Sequence, residues 1–183
     1  PLKSGKARQV EKLKIKGRGP ESDRVWMLVR DSGLNAGRFV TQRDRGCGKL
    51  ALVQATDQGD SQIEFKLPNG ESIVVCDENL PRYDGNVEVW GDKLSVLDGG
   101  DEAALWFSNY MQQRCRLVKI SDDFIRCSDP LYSNPGDQVS LADGFPLHVT
   151  NVESLVAIQK FIPQGVTIGM ERFRPNIVLD GLP

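Results

Sequence analysis

The chain has 183 residues, of which 39% are hydrophobic and 26% charged, with 23 Lys+Arg against 25 Asp+Glu and a single histidine. The near-neutral balance argues against a general nucleic-acid binder, which would carry a basic surface, and no run of about 18 apolar residues offers a membrane span. No basic-then-apolar leader opens the chain, so a bacterial cytoplasmic, reducing setting is expected.

The charge is uneven along the chain. Residues 1–30 carry nine basic and three acidic side chains, whereas residues 31–183 carry 14 and 22. A basic opening segment suits either a solvated strand edge or an anion site. Within it, residues 10–16 alternate in polarity and predict a strand. Residues 24–30 contain Val25-Trp26-Met27-Leu28-Val29, which predicts a strand buried on both faces. A turn at Asp31-Ser32-Gly33 follows, then strands over 39–41 and 50–53. Residues 63–67 and 72–75 alternate about Asn69-Gly70, a hairpin signal, and 87–90 and 94–97 flank Gly91-Asp92, a second one. Many short strands with regular turns predict a sandwich or barrel.

Gly99-Gly100 marks a change of texture. Residues 101–114 predict a helix with an acidic first turn, and the stripe Ala103, Trp106, Phe107, Tyr110, Met111 reads as core rather than as a cofactor box. Residues 115–120 predict a strand. Residues 121–142 are polar and hold Pro130, Asn134, Pro135 and Gly136, so they predict a long surface loop. A short strand over 146–149 precedes Thr150-Asn151-Val152-Glu153, which predicts a helix over 152–161 capped by Thr150. Residues 176–179 close the series as a strand. The fold class is therefore mainly β (α+β) with about two helices, in a β-barrel-like N-terminal domain over 1–98 and a second, mixed part over 99–183.

Few residues suit catalysis. The four cysteines, Cys47, Cys76, Cys115 and Cys127, form no C-x-x-C pair, so free thiols are expected. Cys47 sits between glycines in Arg45-Gly46-Cys47-Gly48, an accessible loop, which makes it the candidate reactive thiol. His148 lies in a short apolar strand, where a hydrogen-bonded structural imidazole is the simpler reading. No Walker motif, G-x-G-x-x-G or calcium loop is present, and no catalytic or metal-ligating residue is nominated. Lys3-Ser4, Arg24 and Arg174-Pro175-Asn176 pair cations with short polar donors, a combination suited to phosphate. The helix start at Asn151 adds N–H groups of the right polarity. Paired carboxylates around Arg24 and Arg174 would explain the same residues without a ligand.

Several blocks resemble a known family. Pro1-Leu2-Lys3-Ser4, Asp23-Arg24-Val25-Trp26-Met27-Leu28-Val29, Thr41-Gln42-Arg43, Leu50-Ala51-Leu52-Val53, Val87-Glu88-Val89-Trp90-Gly91-Asp92 and Asp98-Gly99-Gly100-Asp101-Glu102-Ala103-Ala104 resemble the N-terminal β-barrel domain of MOSC proteins. Ala142-Asp143-Gly144-Phe145-Pro146-Leu147, Glu153-Ser154-Leu155 and Arg172-Phe173-Arg174-Pro175-Asn176-Ile177-Val178 resemble the start of the MOSC domain itself. The two-part arrangement looks like that of the mitochondrial amidoxime-reducing component and its bacterial relatives. The resemblance implies a truncated second β-barrel over 99–183. It implies a molybdenum cofactor (molybdopterin), a small N-hydroxylated substrate to be reduced, and an electron-donor protein or domain as partner. An association with pyridoxal phosphate binding also comes with the family. Carried over by motif, Lys3, Ser4 and Arg24 would hold the pterin or its phosphate, and Asp143, Gly144, Asn151, Arg174 and Asn176 would complete the anchor.

The departures from the family pattern matter. The family's metal-ligating cysteine lies well downstream of the Arg-Pro-Asn block, and none of the four cysteines here stands at that position. The strand before Pro-x-Lys-Ser is absent, Lys3-Ser4-Gly5 replaces Lys-Ser-Cys, and Val152 replaces a usual Glu. The expectation is a fragment or short form that is inactive alone, belonging to a molybdenum-dependent reductase. A non-catalytic binding module is one alternative. A sulfur carrier using Cys47 is another.

Overall fold

A computed structural model describes residues 1–181. At its centre lies the antiparallel sheet β3–β10–β9, made of β3 (Trp26–Arg30), β10 (Cys115–Ile120) and β9 (Val96–Asp98). The apolar run predicted to be buried on both faces forms β3. Trp26 and Leu28 face one core, Met27 and Val29 the other, because successive strand residues point to opposite faces. β10 divides in the same way, with Cys115 and Leu117 on the first side and Val118 and Ile120 on the second.

The first core is closed by the meander β4 (Gln54–Gly59), β5 (Gln62–Lys66) and β6 (Ser72–Cys76), and by helix α1 (Asp101–Met111). β4 was not foreseen, since Gln54-Ala55-Thr56-Asp57-Gln58 is nearly all polar and only Ala55 turns inward. The β5–β6 hairpin turns at Pro68-Asn69-Gly70 as expected. Only Gly70 takes a left-handed φ, so the loop is three residues long rather than a two-residue Asn-Gly turn. The aromatic stripe of α1 is core, with Phe107 fully buried and edge-on to Phe65 and Trp106. The helix stops at Met111, where Gln112 takes a left-handed φ, short of the expected Arg114.

The second core is closed by the hairpin β7 (Val87–Val89) and β8 (Asp92–Leu94) together with Leu141. Its turn residues are Trp90-Gly91, one position before the predicted pair. Gly99-Gly100 leads straight from β9 into α1, and β10 then pairs with both β3 and β9. The chain therefore crosses residues 98–99 inside one packed unit. Beyond it, β11 (Val149–Asn151) pairs in parallel with β12 (Ile177–Leu179), and α2 (Val152–Gln159) connects them. β1 (Ile15–Lys16) and β2 (Gly19–Pro20) make a small surface ladder. The described strands thus form five open sheets, mainly β with two α-helices.

Four expectations are corrected. Residues 10–14 are exposed and not a strand, because their apolar positions find no partner sheet. Residues 50–53 belong largely to a 3-10 helix over Gly48–Leu52, which buries Leu50 but leaves Leu52 exposed. Residues 121–142 are irregular and largely exposed, but they are only partly a surface loop: Arg126, Ser128, Val139, Ser140, Leu141 and Ala142 are buried, and Arg126 satisfies the carbonyls that the segment brings inside. Asn151, not Thr150, caps α2, its Oδ1 accepting from Ser154 N at 2.6 Å. Thr150 instead meets Met170 Sδ at 3.2 Å.

Cys47 is likewise not an accessible thiol. The Gly46 turn folds it inward to 3% exposure, where its Sγ accepts from Gln113 Nε2 at 3.1 Å. Burial also raises the Cys115 thiol to about 11. Iodoacetamide is therefore expected to label Cys76 and Cys127 in the folded protein, and Cys47 and Cys115 only after unfolding. Peptide mass spectrometry reads the pattern, and rapid native labelling of Cys47 would contradict it.

Candidate functional site

The N-terminal segment passes beside β3 as an extra edge: Lys3 N–H donates to Trp26 O at 2.7 Å, and Arg24 N–H donates to Pro1 O at 2.9 Å. This brings Lys3 and Arg24 together. The segment 172–176 returns to the same place. Arg24 Nη2 donates to the Arg174 carbonyl at 2.8 Å, Arg174 Nη2 reaches Leu2 O at 3.4 Å, and Arg174 Nη1 donates to Gly5 O. Asn176 Nδ2 donates to Asp23 Oδ2 at 2.8 Å, while its Oδ1 accepts from His148 N at 3.0 Å. Residues about 150 positions apart are thus joined through one carboxylate and a few carbonyls.

Asp143 forms the second half of the cluster. Lys3 Nζ lies 2.8 Å from Asp143 Oδ1 and donates to Leu141 O at 2.7 Å. Arg43 Nη2 lies 3.3 Å from Asp143 Oδ2, and Trp90 Nε1 donates to Oδ1 at 3.1 Å. Arg126, 5% exposed, sets the carboxylate in place by donating to the carbonyls of Ser140, Ala142 and Asp143, while its Nε meets Asp92 at 2.8 Å. Each of these cations is held by oxygens, as a buried charge requires.

The charges do not balance locally. Four cationic side chains, Lys3, Arg24, Arg43 and Arg174, meet two carboxylates, Asp23 and Asp143. Arg24 pairs with Asp23, and Lys3 and Arg43 share Asp143. Among the described residues, Arg174 forms no ion pair. Burial and then the neighbouring Arg24 lower its pKa to about 10. Burial pulls the Lys3 ammonium, 4% exposed, down to about 8 in spite of Asp143. Burial would raise the Asp143 carboxyl, but Lys3, Trp90 and Arg43 hold it at about 2.

Backbone strain concentrates here. Nine described non-glycine residues have a left-handed φ, and Ser4, Arg24, Trp90 and Arg174 are four of them. Gln112 ends a helix and Asp60-Ser61 turn a hairpin, where such a φ has a structural use. Arg24 and Arg174 sit beside strands, and each such conformation costs roughly 1–2 kcal/mol.

Of the nominated residues, Lys3, Arg24, Asp143, Arg174 and Asn176 therefore meet in one cluster. Ser4 lies at its edge, its Oγ 3.5 Å from Thr41 Oγ1. Gly144 follows Asp143 with open space where a Cβ would stand. Asn151 is committed to capping α2. Asp23, Arg43, Trp90 and Arg126 were missed. Asp23, Arg43 and Trp90 stand inside the quoted family blocks, but Arg126 lies in a polar stretch with no periodic signal. Two cavities, of about 440 and 650 Å³, lie elsewhere and are not lined by Lys3, Arg24 or Arg174. Lys3 and Asp23 are buried within the cluster, and Arg24 and Arg174 are half-buried.

Comparison with known proteins gives a consistent picture. The MOSC N-terminal beta barrel domain family matches residues 1–114. Mitochondrial amidoxime reducing component 2 of Rattus norvegicus is 30% identical over 89% of this chain and 48% of its own length. The Homo sapiens protein of that name is 28% identical over 99% of this chain and 54% of its own. Molybdenum cofactor sulfurase of Caenorhabditis elegans is 24% identical over 100% of this chain and 23% of its own. The chain thus spans about half the length of the amidoxime relatives and about a quarter of the sulfurase. No helix among the described residues is long and apolar enough to cross a membrane.

Proposed function

The chain belongs to the MOSC family, and on that premise we propose that the cluster around Arg24 and Arg174 holds the phosphate end of a molybdopterin cofactor. One observation carries the reading: Arg174 is half-buried beside another guanidinium, with no carboxylate of its own among the described residues. Such a charge is costly unless an anion joins it. A phosphate supplies that anion, and each guanidinium keeps N–H donors beyond the two it gives to protein oxygens.

The residues present fit such a group. Arg24 and Arg174 would hold the phosphate, with Lys3 as a third cation and the Ser4 hydroxyl as a donor. Asp143, set by Arg126, keeps Lys3 from moving away, and Asn176 ties the returning segment to Asp23. When bound, the cofactor supplies redox chemistry at molybdenum, in the whole protein the reduction of a small N-hydroxylated compound with electrons from a partner protein or domain. The described residues bind and orient. Among them no three His, Cys, Asp or Glu side chains stand together as a metal site.

The Lys3 ammonium gives a test with a definite sign. Sulfate keeps its charge across the range, so its affinity reports the protein alone. Affinity is expected to fall as pH rises through about 8, where Lys3 loses its proton. The Lys3→Met variant binds sulfate about tenfold less well at pH 7, the scale of one charge-assisted hydrogen bond, and shows no decline through that range. A native profile that stays flat to pH 9, read by isothermal titration calorimetry, would contradict the assignment.

A further inference from the structure

Beside the anion cluster stands a largely exposed indole. Trp90 occupies the first position of the β7–β8 turn with φ +53°, a conformation that suits Asn or Gly and strains a bulky aromatic residue. Burial does not offset the strain, for the side chain is 56% exposed. Three segments nevertheless fix it. Phe39 meets its ring edge-on at 5.2 Å, Asp143 Oδ1 accepts from its Nε1 at 3.1 Å, and the Arg43 guanidinium lies 5.7 Å from its ring centroid. Arg43 is 64% exposed and spends only Nη2 on Asp143, so its other donors are free to meet solvent. The pair belongs electrically to the anion cluster, since Arg43 acts on the Arg174 guanidinium and Lys3 lies over the Phe39 ring at 4.8 Å.

We propose that Arg43 and Trp90 form a substrate-binding wall beside the cofactor phosphate, taking a planar aromatic small molecule that carries an acidic or hydrogen-bond-accepting substituent. The indole face stacks on the ring, and the guanidinium meets the substituent. A rigidly held, exposed aromatic side chain suits this task because little order remains to be imposed when the ligand arrives. The inference rests on the anion-site reading for the position of the cofactor, but the stacking wall is measurable without it.

The test uses two probes of equal charge. Benzoate has a planar ring and cyclohexanecarboxylate a saturated one. Benzoate is expected to shift the Trp90 indole N–H resonance and to bind several-fold tighter than cyclohexanecarboxylate. Trp90→Leu and Arg43→Gln each weaken benzoate about three- to tenfold, the scale of one aromatic or cation contact. Thermal unfolding of both variants confirms that they fold. Equal binding of the two probes, or unchanged benzoate affinity in Trp90→Leu, overturns the wall. Loss of benzoate binding on loading the cofactor assigns the wall to the pterin and overturns the substrate reading. Failure of sulfate to bind the native protein overturns the anion site and leaves the benzoate comparison to judge the wall alone.

Discussion

Arg174→Ala is expected to lose at least tenfold in sulfate affinity while its stability to urea stays within about 1 kcal/mol of native, the scale of one net hydrogen bond. The two effects separate because Arg174 does two different things. Toward an incoming anion it offers a charge-assisted fork, each such bond being worth roughly 1.5–3 kcal/mol. Toward its own fold it contributes two bonds to the carbonyls of Gly5 and Leu2 and an uncompensated charge beside Arg24. Removing it relieves that repulsion as it removes those bonds. A residue kept for structure alone would show the reverse, a large loss of stability with sulfate binding lost only in proportion to unfolding. Urea titration and calorimetry on the same preparation distinguish the two.

Phe107→Ala carries the largest expected change in stability, a loss of about 3–5 kcal/mol. Phe107 is fully buried between α1 and the β4–β5–β6 meander, 5.3 Å from Phe65 in edge-to-face contact, and Phe65 repeats that contact with Trp26 at 5.9 Å. Truncation leaves a cavity among rings too rigid to collapse into it. The consequence reaches the site, because the Trp26 carbonyl receives the Lys3 N–H and residue 24 lies two positions before β3. Sulfate affinity in Phe107→Ala should therefore survive while the protein is folded and vanish at a lower urea concentration than in the native chain. A stability loss under about 1.5 kcal/mol would show instead that the first core repacks around the missing ring, as volume-conserving core changes do.

The parts legible in the sequence were those with a local physical signature. The apolar run 25–29 forms the core of β3, the alternation about Asn69-Gly70 forms the β5–β6 hairpin, and the spacing of Ala103, Phe107 and Met111 gives α1 its buried face. Where the signature misled, tertiary context decided. Leu50-Ala51-Leu52-Val53 reads as a strand but winds into a 3-10 helix, since only Leu50 and Val53 find the core. Polar Gln54–Gly59 reads as a connection but is paired on one side by β5, with only Ala55 in the core. The stretch 121–142 hides its structural role in Arg126, whose value depends on carbonyls 14 to 17 residues away.

The candidate site shows the same division. Lys3, Arg24 and Arg174 were nominated by residue type and by family resemblance, and the structure brings them together through contacts spanning most of the chain. Spacing alone could not predict that meeting. Nor could it show that Asp143 serves Lys3, Arg43 and Trp90 at once, which leaves Arg174 as the cation of the cluster with no ion pair among the described residues. That charge imbalance, and not the count of basic residues, distinguishes an anion site from a network of surface ion pairs.

The most direct test is the pterin content of the protein purified from cells able to make the molybdenum cofactor. Pterin is released by oxidation, quantified by fluorescence per mole of protein, and compared with that of Arg174→Ala prepared alongside. The account predicts a stoichiometric amount in the native protein and less than about a tenth of it in the variant, in keeping with the loss of a charge-assisted phosphate fork. Equal pterin in both proteins, or none in the native one, would contradict it.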